Sequence, residues 1–223
     1  MIKNEVITFS REEADDLVWK YFIRKSNIKD EKKLKRMEAL AQEAHQLVKE
    51  KVNMRAVVSA SDKFYVADDK LFVDEIGEVT LKTSKINLEH VSKIYSFILC
   101  AGEFEIEVDP INDIFADLWG TAYVDAQMEL LRKELIKREQ KAVSLPFGPG
   151  FYGMELGDLN TIFDSLDNSK IDVELRGSLM VPLKSCAGFF LVSDMEFEMP
   201  ERDCMNCVGN INGCSYCRNF KRD

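Results

Sequence analysis

Histidine is scarce: His45 and His90 are the two in a chain of 223 residues. A Ser-His-Asp triad or a histidine-based metal centre therefore has almost nothing to work with. His45 falls in the polar register of a helix and His90 beside a turn, so both read as surface or capping residues. Positive charge is also in deficit. With 30 Lys+Arg against 39 Asp+Glu the net charge is −9, which argues against a partner that is nucleic acid. No apolar run reaches the roughly 18 residues of a membrane span, and the longest, around Tyr95 to Ala101, is strand-sized. Met1 to Ser10 lacks the apolar core of an export signal, so a cytoplasmic protein is expected. There is no Walker A motif and no Gly-x-Gly-x-x-Gly after a strand. Carboxylates are plentiful, but Asp15-Asp16, Asp68-Asp69 and Glu103-Glu105-Glu107 offer no selective pairing; the last set alternates with Phe104 and Ile106, as a strand with one acidic edge does.

What is present is core-forming material: 46% hydrophobic residues, including 14 Phe, which excludes disorder for most of the chain. Ser10-Arg11-Glu12-Glu13 is a capping box. The helix after it places Ala14, Leu17, Val18, Tyr21 and Phe22 on one face, and a second helix from near Asp30 does the same with Leu34, Met37, Ala41, Ala44, Leu47 and Val48. Arg55 to Ala60, Phe64 to Val66, Leu71 to Val73 and Val79 to Leu81 read as short antiparallel strands, and Lys93 to Ala101 as a buried one. Pro110 opens a long helix running to about Arg138, with Ile111, Ile114, Phe115 and Leu118 as its first buried face. Gly120, Ala122 and Ala126 would let a neighbour approach it closely. Leu156 to Leu166 is helical in spacing, and Ile171 to Leu175 and Gly188 to Val192 are strands. The pattern is α+β: an antiparallel sheet with flanking helices, one of them long and central, in a single domain over residues 1–195.

Residues 196–223 form a separate Cys-rich tail. Its Cys204-x-x-Cys207 and Cys214-x-x-Cys217 pairs are two-thiolate grips of the kind that close a tetrahedral site. Zinc and an iron–sulphur cluster both suit four thiolates, and a redox dithiol tail without metal is the third reading. Cys100 and Cys186 stand apart in apolar segments and read as small core residues. Ser144 to Gly153 holds two of the five prolines and three of the eleven glycines. That density marks a shaped loop with accessible backbone, flanked by Phe147, Phe151 and Tyr152.

These segments follow a recognisable order. Pro149-Gly150-Phe151, an amphipathic helix, then Ser178-Leu-Met180-Val-Pro182 and Lys184-Ser185-Cys-Ala-Gly188 resemble the activation domain of cobalamin-dependent methionine synthase and its small free-standing relatives. The resemblance covers the chain to about Val192. It implies a domain that binds S-adenosylmethionine and docks on a corrinoid protein, or on the cobalamin-binding module of methionine synthase. There it restores methylcobalamin from oxidised cob(II)alamin by one-electron reduction and methyl transfer. It also implies a flavodoxin or ferredoxin as electron donor and cobalamin supplied by the partner, so the chain is not a complete methyltransferase alone. Carried over, Pro149, Gly150, Phe151 and Tyr152 hold the sulphonium ligand, Glu129 sits near its cationic end, and Ser178, Met180 and Ser185 wall the site. The tail cysteines Cys204, Cys207, Cys214 and Cys217 would serve as a structural clip or an electron relay. Two departures stand out: Pro146 occupies the place of a family Arg, and Phe151 that of a Tyr. They leave open a second reading, a non-catalytic corrinoid-protein partner or assembly factor that has lost the ligand and uses a zinc-knuckle tail. A third, a sulphur- or redox-handling protein built around the tail, needs only the cysteines.

Overall fold

Ser10 opens the first helix as the capping box predicts. Its N–H donates to Glu13 Oε2 at 2.6 Å, and the Glu13 N–H donates to Ser10 Oγ at 3.3 Å. The computed structural model that shows this describes residues 2–26, 31–81, 88–105, 109–151 and 153–196.

Strand β1 (Ile2–Phe9) leads into α1 (Arg11–Ser26) and α2 (Glu31–Val48). Strand β2 (Val52–Ser61) is followed by a meander of β3 (Phe64–Ala67), β4 (Lys70–Val73) and β5 (Gly77–Thr80). Then come β6 (Val91–Gly102), the long α3 (Pro110–Glu139), the short β7 (Ala142–Val143) and α4 (Asp158–Ser165). A hairpin of β8 (Glu174–Arg176) and β9 (Leu179–Val181) precedes β10 (Ser185–Ser193). The main sheet has the order β1-β2-β6-β10-β7 and is antiparallel at every pairing. The α+β reading therefore holds.

Alternate residues of β6 separate two cores. Tyr95, Phe97 and Leu99 face the first, with Ala14, Val18 and Phe22 of α1, Ala41, Ala44 and Val48 of α2, and Trp119, Tyr123 and Leu131 of α3. Ile94, Ile98 and Cys100 face the second, under the β3–β5 meander, α4 and the 3₁₀ turn Asn168–Ile171. Asp109 caps α3, accepting from the N–H groups of Ile111 and Asn112, with Pro110 in the first turn. Gly120 gives the predicted close approach: a methyl there would lie 2.8 Å from both Phe104 and Lys184.

The structure corrects five expectations. Ile111 and Ile114 are 54% and 62% exposed, because the first turns of α3 bury Asn112 and Ala116 beside the expected Phe115. Ile171 to Leu175 is not one strand: Ile171 closes the 3₁₀ turn, Asp172 is left-handed at φ 54°, and β8 starts at Glu174. Glu103 and Glu105 follow β6 rather than belonging to a strand, and Glu107 lies outside the described residues. His45 is no surface residue. It stacks on Trp119 at 4.2 Å between centroids, and its Nε2 lies 2.7 Å from Tyr123 Oη. Leu47, expected on the buried face of α2, is exposed. Asp30 falls outside the described residues, as does Asn87 of the turn expected before β6.

Candidate functional site

The Gly-Pro loop is built by local rules. Phe151 N–H donates to Gly148 C=O at 2.9 Å across Pro149 and Gly150, and Gly150 has φ +92°. Pro at the second turn position and Gly at the third is the pattern of a type II turn, where the positive φ strains any residue with a Cβ. A second turn follows, Met154 N–H donating to Phe151 C=O, and Gly150 N–H donates to Met154 C=O, both at 2.9 Å. A side chain at Gly150 would meet nothing within 4 Å, so the tip of the turn faces open space. Phe151 beside it is 47% exposed. Tyr152 lies outside the described residues.

The loop is fastened to β10. Phe147 and Phe189 exchange both backbone hydrogen bonds, at 2.7 and 3.2 Å, and their rings pack with centroids 5.9 Å apart. Gly148 and Gly188 make that contact feasible. A methyl on Gly148 would lie 2.6 Å from Ala187 O, and one on Gly188 would lie 2.2 Å from Phe147 O. The last residue of the Lys184-to-Gly188 motif thus faces the backbone just ahead of the Pro-Gly turn.

Arg132 on α3 pins the start of the same segment. Its Nε donates to the carbonyls of Val143 and Ser144 at 2.9 and 3.0 Å. Among the described residues its Nη atoms have no hydrogen-bond or ion-pair partner. Sequence reasoning passed over Arg132, which looks like any helix-surface charge until β7 is seen beside it. Glu129 stands one turn earlier on the same stretch of helix. It accepts from Tyr21 Oη of α1 and pairs with Lys133 Nζ at 3.0 Å. The Tyr21 hydrogen bond, with a lesser contribution from Lys133, holds its carboxyl below the usual glutamate range, so it is anionic at neutral pH. Glu129 is thus held on the helical side of the sheet, whereas the Pro149–Phe151 turn sits at the β10 edge.

The remaining expected residues fall along β10 and its hairpin. Ser178 is exposed at the β8–β9 turn, and Met180 packs on the second core. Ser185 opens β10 opposite Cys100, its Oγ donating to Pro182 C=O at 2.7 Å. Cys100 is buried as expected, and burial pushes the Cys186 thiol up to about 11, which makes it a poor nucleophile. Among the described residues no cluster of three or more His, Cys, Asp or Glu could hold a metal. Cys204, Cys207, Cys214 and Cys217 lie outside them. No described helix is long and apolar enough to cross a membrane.

No protein-family model matches the chain, and no curated relative matches it. A solved structure does: the crystal structure of the MetH reactivation domain bound to AdoHcy, at 15% identity and a TM-score of 0.66, over 86% of this chain and 79% of that one. At that identity the likeness is one of architecture, and it agrees with the resemblance drawn from the order of the motifs. This chain has the fold of the reactivation domain of MetH.

Proposed function

We propose that the chain is an S-adenosylmethionine-binding module that serves the reductive remethylation of a corrinoid held by a separate protein. The observation that carries this reading is the fold shared with a domain solved with AdoHcy, the demethylated form of that ligand. The local structure fits such a ligand in two respects. The Gly148–Phe151 turn offers backbone without a covering side chain, and Phe151 offers an exposed ring for stacking. Glu129, held by Tyr21 and Lys133 on the helical side of the sheet, is the proposed counter-charge to a cationic sulphonium. Ser178, Met180 and Ser185 belong to the adjoining hairpin and strand. Bound S-adenosylmethionine would supply the methyl group, and cobalamin would arrive with the partner as the species acted on. The residues of this chain hold and orient; none is asked to move a proton, which is consistent with two histidines that stay out of the site. The four tail cysteines serve as a metal site, zinc or iron–sulphur, and a flavodoxin or ferredoxin as the electron source.

The test is calorimetric titration of anaerobically purified full-length chain with S-adenosylmethionine and AdoHcy, together with metal analysis and visible spectra. Saturable binding that weakens at least tenfold in Phe151→Ala and Glu129→Gln supports the reading. Absence of heat with either ligand, from protein whose unfolding is cooperative, refutes it. Loss of bound metal in Cys204→Ser would assign the tail separately.

A further inference from the structure

A cavity of about 380 Å³ lies at the β2–β6 crossing, and none of its lining residues belongs to the Gly-Pro loop, although it meets the residues beside Ser185 at Cys100 and Pro182. Its lining includes Lys51 and Arg55 from the β2 side, Cys100 and Glu103 from β6 and just beyond, and Asp172 and Pro182. The space comes from a β-bulge. Val52 pairs with Gly102 and Arg55 with Cys100, so two residues of β2 oppose one of β6 between those pairs. Bulges bend a strand and re-aim its side chains, and here the irregularity ends at Arg55. Gly102 is required at the crossing: it has φ +121°, and a methyl there would lie 2.2 Å from Lys51 O.

Arg55 is the informative residue. Its Nη1 donates to Asp172 Oδ2 at 2.8 Å, yet its Nε is buried with no hydrogen-bond partner among the described residues. The buried Nε carries a desolvation penalty, and the Nη2 group of the same guanidinium, without a hydrogen-bond partner among the described residues, is left to receive an incoming acceptor. The lining is balanced, two cations against two carboxylates, so a compact polyanion meets as much repulsion as attraction. A molecule with one carboxylate and one cation suits it. The volume falls in the range of small-molecule sites, about 300–1,000 Å³.

We propose that this cavity binds a small zwitterion of the α-amino-acid class, with its carboxylate received by Arg55 and Lys51 and its ammonium by Glu103. The proposal is independent of S-adenosylmethionine binding at the Gly-Pro loop. Backbone NMR of the full-length protein, titrated with L-alanine and L-methionine and, for comparison, with acetate and inorganic phosphate, tests it. Saturable shifts should cluster at residues 53–55 and 100–103 and leave 147–151 unmoved. Arg55→Gln should weaken amino-acid binding at least tenfold. Glu103→Gln, at an exposed position where folding is not at stake, should weaken the amino acids by a similar factor and leave acetate unchanged. Shifts confined to 147–151, no saturation with either amino acid, or binding indifferent to both variants would overturn the site. Phosphate binding as tightly as the amino acids would overturn the ligand class.

Discussion

Gly188→Ala is the substitution whose effect the structure determines most closely. The added methyl would sit 2.2 Å from Phe147 O, 3.0 Å from Phe147 C and 3.3 Å from Gly148 Cα, all backbone atoms that cannot rotate away. Two responses are open. Either β10 and the loop strain to accommodate the methyl, an overpacking cost of about 1–3 kcal/mol. Or the loop lifts, breaking the two Phe147–Phe189 hydrogen bonds, at about 0.5–1.5 kcal/mol each, and exposing the buried Phe147 ring, at about 1.5–3 kcal/mol. The chain takes the cheaper route, and a contact 1 Å inside van der Waals distance makes overpacking expensive for its class. The expected destabilisation is therefore about 2–3 kcal/mol. Urea unfolding should show a lower midpoint at unchanged slope, with faster amide exchange at Phe147 and Phe189. Gly157→Ala is the control: a methyl there meets nothing within 4 Å and φ is −61°, so stability should stay within about 0.5 kcal/mol. A Gly188→Ala protein as stable as its parent would refute the claim that this glycine admits the loop.

Three further outcomes are expected. Arg132→Ala removes a charged donor from the Val143 and Ser144 carbonyls and should cost about 1.5–3 kcal/mol, with amide exchange quickening over 143–147; Arg132→Lys should recover only part of it. Burial depresses the His45 pKa, so the folded state binds fewer protons there than the unfolded chain; stability should fall as pH drops below about 6.5, and His45→Phe should flatten that limb of a pH series of urea midpoints. Burial alone would raise the Glu139 pKa, but hydrogen bonds from Lys93 and Tyr95 outweigh it and the net direction is down. Its contribution is therefore present above about pH 4.3 and lost as pH falls through the depressed value, and Glu139→Gln should shrink the acid limb of the same series.

What could be read in the sequence is what nearest neighbours decide. The capping box at Ser10, the Pro110 start of α3 and the Pro149-Gly150 turn are each specified within four residues, and each forms as expected. The features that were not legible depend on partners far away. Strand β1 hides because Asn4 turns left-handed, at φ 50°, and shifts the register, so its apolar residues do not alternate. Strand β7 is two residues long and exists only because β10 lies alongside. His45 sits in a polar helical register, but α3 brings Trp119 and Tyr123 against it across 74 and 78 positions, and packing overrides pattern.

The candidate site shows why motif order carries further than motif identity. The Pro-Gly turn and the Lys184-to-Gly188 stretch are separated in the chain by α4 and the β8–β9 hairpin, yet they meet where Phe147 bridges Phe189. The glycines on both sides are small for one reason: two backbones approach within the space of a methyl. A substitution beside such a crossing can leave it in place, whereas a Cβ at either glycine cannot. A structural constraint of this kind fixes where the loop crosses β10. It does not preserve a ligand, since backbone proximity recognises nothing by itself. On the proposed reading, recognition falls to Phe151, whose ring is exposed, and to Glu129, an anion held by Tyr21 and Lys133, and substituting both separates a fold that is merely kept from a site that still binds.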